Sequence, residues 1–253
     1  MFEYDLGLNR ESLKSAIEAV KLEQWLYGCW QLLEHLSNRH GLSSTLDLPL
    51  QPLHCFIESH RLQATKTIDW TQFASLEGTT FLKLCKANYH YNRTEYHEAE
   101  RILSSLEESL EAAELLSDIL FQRAAKTELY SLVQHCTHRS QLHPSTAYAT
   151  GNLYALLGQH EKAALSFRRV VRCDPKHVRA RLLLAQQLIE LRRPEAALVV
   201  YEEACLLAPA DYRAWHGMGQ LLGLMDHRSG SKFCLGRASI LAPPSKKASI
   251  IVP

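Results

Sequence analysis

His135, Cys136 and His138 place two imidazoles and a thiol within a four-residue stretch. On a helix the two histidines share a face. A structural zinc site needs four ligands, usually with a second closely spaced pair, and no such pair lies nearby, so neither a metal nor any other cofactor is expected. The chain has no Gly-x-Ser-x-Gly, phosphate-loop or His-Glu-x-x-His pattern. Its thirteen histidines supply bases without an evident nucleophile beside them, so catalysis is not expected. The remaining chemistry is recognition. Arg168, Arg169, Arg172, Lys176, Arg179, Arg181, Arg192 and Arg193 form a basic concentration, and arginine pairs bidentately with carboxylate or phosphate. This cluster has two readings. It is an anion-recognition surface, or a solvated face balanced by Glu161, Glu190, Glu195, Glu202 and Glu203.

The elements that position these groups are marked by Pro175, Pro209 and Pro243, which stand 34 residues apart. Proline cannot continue the helical hydrogen-bond ladder, so it suits the point where one helix ends and the next begins. A 34-residue period is that of the tetratricopeptide repeat (TPR). With each proline as the thirty-second residue, the units run 144–177, 178–211 and 212–245. The eighth position is then small (Gly151, Ala185, Gly219), as is the twentieth (Ala163, Ala197, Ser231). The eleventh is Tyr154, Leu188 and Leu222, and the twenty-fourth is Phe167, Tyr201 and Leu235. Small residues let two helices approach and large ones fill the groove that remains. The expected fold is all-α, a TPR superhelix of antiparallel helix hairpins preceded by an N-terminal helical segment.

In this architecture the second, fifth, ninth and twelfth positions of each first helix line a concave groove. They supply Tyr148 and Asn152, then Arg179, Leu182 and Gln186, then Arg213, His216 and Gln220. Side-chain amides offer a donor and an acceptor to an extended peptide, and arginine takes a carboxylate. These eight residues are the binding candidates.

Outside the clear units, 1–40 reads as a helical segment and 41–79 as a connector with a short helix near 54–63. Residues 80–109 and 110–143 read as degenerate repeats, with a phase slip because Thr80 and Leu110 are only 30 residues apart. Residues 246–253 form a tail. The net charge is +1, so bulk electrostatics favours neither nucleic acid nor an acidic membrane. There is no apolar run of membrane-spanning length and no basic-then-apolar leader, so neither a span nor a signal sequence is expected. Seven scattered cysteines without a Cys-x-x-Cys pair suit a reducing compartment, most of them as small buried hydrophobes.

Gly151-Asn152-Leu153-Tyr154 and the stretch from Gln159 through Phe167 resemble the repeat core of the cell division cycle protein 23 family. That family is TPR scaffold subunit 8 of the anaphase-promoting complex (cyclosome). Asp211-Tyr212-Arg213-Ala214-Trp215-His216-Gly217-Met218-Gly219-Gln220 is the most discriminating part of the likeness, whose strong region covers about 127–243. The resemblance implies a non-catalytic subunit of a multisubunit ubiquitin ligase, active in mitosis and located in nucleus and cytoplasm. Its implied partners are related TPR subunits and co-activators, with self-association through N-terminal repeats giving a possible homodimer. Ubiquitin transfer would belong to cullin- and RING-type subunits. Family repeats between about Ser109 and Thr127, and those after Pro243, are expected to be missing. The last repeat is expected to lack the polar helix that normally caps a solenoid. The other reading is a free-standing adaptor or co-chaperone that clamps a peptide C-terminus. Asn152 suits that role, and Tyr148, where a lysine would be wanted, does not.

Overall fold

A computed structural model of the chain describes residues 68–71, 73, 77–106 and 109–242. The expected helical segment 1–40, most of the connector 41–79 with its helix near 54–63, Pro243 and the tail 246–253 lie outside the described residues. The chain divides into two compact parts, Met1–Ser105 and Leu106–Pro253.

In the first part α1 (Thr80–Asn92) pairs with α2 (Tyr96–Ser104). Thr79 caps α1, its Oγ1 accepting from the Leu82 N–H at 3.2 Å. The end of the expected connector packs onto this pair. Trp70 meets Tyr89 edge-on at 5.5 Å, and Phe73 is buried.

The second part contains α3 (Leu110–Gln122), α4 (Lys126–Arg139), α5 (Pro144–Leu156), α6 (His160–Cys173), α7 (Val178–Glu190), α8 (Pro194–Leu207), α9 (Tyr212–Leu224) and α10 (Arg228–Leu241). Consecutive helices pair as hairpins, α3 with α4 through to α9 with α10, and each hairpin packs on the next. All described regular structure is helical, which is the TPR fold. No described helix is long and apolar enough to cross a membrane.

The local reasons for this regularity recur in each repeat. First helices begin at residues 80, 110, 144, 178 and 212. All five are 13 residues long. Their ends turn on a left-handed residue at the fifteenth position: Thr94, Ala124, Gly158, Arg192 and Asp226, with φ between 54° and 71°. The next residue's N–H then reaches back to a carbonyl in the last helical turn, as from Ala125 to Leu120 and from Arg193 to Leu188, both at 2.9 Å. Four of these positions are not glycine and hold a conformation that costs roughly 1–2 kcal/mol. The 30-residue slip is explained by α2, which has 9 residues where the later second helices have 14.

Pro175 and Pro209 lie in the links after α6 and α8, outside any helix. Pro144 and Pro194 instead open α5 and α8, where a missing N–H is harmless. The residue just before α5, α7 and α9 caps each of these helices, as Thr79 caps α1. His143 Nδ1 accepts from Ser145, His177 Nδ1 from Ala180, and Asp211 Oδ1 from Arg213, at 3.0–3.2 Å.

The small and large positions interlock. A Cβ on Gly151 would sit 2.6 Å from the Phe167 ring, and one on Gly219 would sit 2.8 Å from Leu235. Gly217 receives the Tyr201 ring in the same way, at 2.5 Å. Ala163, Ala185 and Ala197 are fully buried. Ser231 occupies the third small site and donates to the Gly219 carbonyl at 2.8 Å. Tyr154 and Trp215 are half-buried against the same core. Lys162 lies over the Tyr154 ring, and the Trp215 Nε1–H donates to the Pro209 carbonyl at 3.0 Å.

Candidate functional site

The first helices α3, α5, α7 and α9 bring together a polar network that runs across four repeats. α3 contributes Glu114, Ser117 and Asp118, and α5 contributes Ser145, Tyr148 and Asn152. The Tyr148 hydroxyl donates to both Asp118 oxygens at 2.9 and 3.1 Å. The Asn152 amide donates to Asp118 Oδ1 at 2.9 Å and to Ser117 Oγ at 3.0 Å. Burial lifts the Asp118 carboxyl above its ordinary range, outweighing the opposing pull of Arg179 and these hydrogen bonds.

One step along, Glu114 accepts from the Ser145 hydroxyl at 2.8 Å and faces His177 Nε2 at 3.1 Å. His177 also lies 5.4 Å from the Tyr148 ring, centroid to centroid. Arg179 acts electrostatically on Glu114, Asp118 and Asp211 together. At α9, Arg213 forks onto Asp211 at 2.7–3.2 Å. Burial opposes the Asp211 charge, but Arg213 and then Arg179 hold its carboxyl below the usual range.

The Glu114–His177 pair carries a pH signature. Burial disfavours the imidazolium, but the Glu114 carboxylate outweighs it and raises His177 above 6.5. Burial likewise disfavours the Glu114 carboxylate, but His177, Ser145 and Arg179 outweigh it and lower Glu114 below 4.5. A raised histidine contributes stability that is complete below its unfolded value and is lost as pH rises through the folded value. A lowered glutamate contributes above its unfolded value and loses that contribution as pH falls through the folded one. The pair is therefore strongest between 4.5 and 6.5. Protonation also turns Nδ1 from acceptor to donor, which forfeits the Ala180 cap and limits the gain. The melting-point deficit of His177→Gln should be largest near pH 5.5 and shrink toward pH 8. A deficit that grows with pH would contradict the pairing.

Of the eight groove candidates, Tyr148 and Asn152 are 1% exposed and committed to Asp118, so they are not free peptide donors. Leu182 is likewise buried in the core. These three assignments are corrected. Their helices are flanked on both sides, and packing closes the face at those positions. Arg179 and Arg213 are half-buried within the network. His216 is half-buried, with burial lowering its basicity. Gln186 and Gln220 are exposed. The open part of this face therefore lies on α7 and α9.

Sequence reasoning missed Glu114, Asp118, His177 and Asp211. The first two occupy the fifth and ninth positions of 110–143, where groove positions were not read. The other two precede a first helix by one residue, a capping position. In the basic cluster, Arg181 is buried with its Nε 3.2 Å from Glu203, whereas Arg168, Arg172, Arg192 and Arg193 are exposed. His135 and His138 are exposed on α4, while Cys136 is buried, its thiol pushed up by burial, so the three do not converge. Of the described cysteines only Cys173 is exposed, and all are free thiols, while Cys29 and Cys55 lie outside the described residues.

Comparisons agree with this geometry. Tetratricopeptide repeat models match residues 145–177 and 178–221. Over 170 residues the chain is 29% identical to the cell division cycle protein 27 homolog of Caenorhabditis elegans, covering 62% of this chain and 22% of the relative. Over 192 residues it is 26% identical to anaphase-promoting complex subunit 8 of Arabidopsis thaliana, covering 72% and 33%. The chain thus spans a third or less of the length of these relatives. The solved APC/C hetero-tetramer Cut9–Hcn1 superposes with a TM-score of 0.71 over 94% of this chain and 50% of that one. At 17% identity that match shows the fold alone. Two stretches of the chain match tetratricopeptide-repeat models, the described helices have the TPR fold, and the sequence is similar to TPR subunits of the anaphase-promoting complex, of the cell division cycle 27 kind as well as the subunit 8 kind.

Proposed function

We propose that this chain is a non-catalytic TPR scaffold subunit of an anaphase-promoting complex. It holds other subunits so that ubiquitination of cell-cycle proteins is carried out elsewhere in the assembly. The observation that carries this reading is the sequence kinship with two kinds of complex subunit, over 170 and 192 residues of this chain. Its partners are related TPR subunits and co-activators, a homodimer belongs to the same reading, and its location is nucleus and cytoplasm. The exposed amides of Gln186 on α7 and Gln220 on α9 are the groups offered to a partner chain. The free-standing carboxylate clamp is not favoured, because the Asn152 amide it would use is already bonded to Asp118 and Ser117.

Affinity purification of the tagged chain, expressed at native level, should recover related TPR subunits together with RING- and cullin-type subunits. Recovery of none of them overturns the assignment.

A further inference from the structure

The C-terminal ends of α4 and α6 carry cations that no acid of the chain neutralises. Arg139 in the last turn of α4, and Arg168 and Arg172 on α6, are exposed. None of the three makes an ion pair among the described residues. Arg169 ties the two ends together, its Nη2–H donating at 3.1 Å to the Gln141 carbonyl, two residues beyond Arg139. From Leu129 to Lys176 the acidic residues are Glu161, at the opposite end of α6, and Asp174. Asp174 Oδ1 already accepts from the Lys176 N–H at 2.9 Å. Two apolar side chains lie uncovered among the cations. Leu165, one turn before Arg168 and Arg169, is 62% exposed, and Leu142, next to Gln141, is 78% exposed.

The repeat does not call for this pattern. Where α6 has Arg168, Arg169 and Arg172, the equivalent positions of α8 hold Glu202, Glu203 and Leu206 in a helix of the same length. The macrodipole favours cations in the last turn of a helix, which accounts for Arg139 and Arg172. It does not account for Arg168, which lies a turn earlier and four residues from Arg172, where like charges repel.

We propose that this surface docks an acidic segment of another protein, one in which carboxylates alternate with apolar side chains. Arginine forks pair bidentately with carboxylates, and the unpaired guanidinium groups supply the complementary charge. Exposed ion pairs alone hold weakly, and Leu142 and Leu165 add apolar area for a partner side chain to cover. A nucleic acid fits this surface less well. Single strands bind by stacking bases on aromatic rings, and the one aromatic residue within 139–142 and 165–172 is Phe167, which is fully buried. The surface lies on second helices, apart from the exposed amides of α7 and α9, and does not depend on membership in a larger complex.

Fluorescence anisotropy of the full chain with a labelled peptide of repeating Glu-Glu-Leu tests this. The peptide should bind at about 10–100 µM in low salt and more weakly as salt rises. Arg139→Ala, Arg168→Ala and Arg172→Ala combined should weaken binding by about 10-fold or more. Leu142→Ser with Leu165→Ser should weaken it by about 5-fold. Arg192→Ala with Arg193→Ala, at exposed positions in the turn before α8, should leave it unchanged. All the altered side chains are exposed, and circular dichroism checks that each variant stays helical. No binding of the peptide, binding that survives the triple arginine variant, or an equal loss in the Arg192 and Arg193 variant overturns the proposal. So does an oligothymidine strand that binds more tightly than the peptide through the same three arginines, which would make the ligand a nucleic acid.

Discussion

Phe167→Ala should destabilise the second part of the chain by about 3–5 kcal/mol, the cost of deleting a fully buried aromatic ring. Phe167 has no exposed surface. Its ring lies against the bare Cα of Gly151 and meets the Tyr148 ring edge-on at 5.8 Å. Tyr148 in turn holds Asp118, so the cavity would open beneath the polar network as well as between α5 and α6. In a stacked array each repeat is stabilised mainly by its neighbours, so the loss should spread to α3 and α7. Urea denaturation gives the number. Leu224→Ala, at a 76% exposed site, should change stability by less than about 0.5 kcal/mol. Gly151→Ala should also destabilise, and combining it with Phe167→Leu should cost less than the two separate losses together, because the new methyl takes the space the ring leaves. A Phe167→Ala loss below about 1.5 kcal/mol would mean that the ring is not the wedge described.

Asp118→Ala should cost about 2–4 kcal/mol, because it removes the acceptor of two buried donors. The Tyr148 hydroxyl and the Asn152 amide sit in sites with almost no access to water. Burial disfavours the charged carboxylate and raises its pKa. Asp118→Asn keeps one oxygen in place and removes the desolvated charge, so its loss should stay within about 1 kcal/mol. The alanine and asparagine variants therefore separate a hydrogen-bonding role from a charge role. Equal losses for both would contradict this account. The Asn152→Ala and Asp118→Ala losses should also fail to add, since they break one shared bond.

The repeat frame was legible because packing is periodic. Gly151 with Phe167, Ala197 with Tyr201, and the links at Pro175 and Pro209 obey constraints that recur every 34 residues. The inner face was less legible, because periodicity states which way a residue points but not what already occupies the space. Tyr148 and Asn152 stand at groove positions, yet Asp118 fills the site in front of them. That acid sits in a repeat recognisable only by its apolar residues. The short α2 was visible as a phase slip, while its cause, a second helix of 9 residues, required the structure.

The most direct measurement places a photoreactive amino acid at Gln186 or Gln220 and irradiates the chain within its native assembly. Both residues are exposed on the inner helices, so a covalent adduct to another subunit is expected from each. Irradiation that yields no adduct from either position, in a preparation where the chain is folded and its partners are present, would contradict the inner face as the gripping surface.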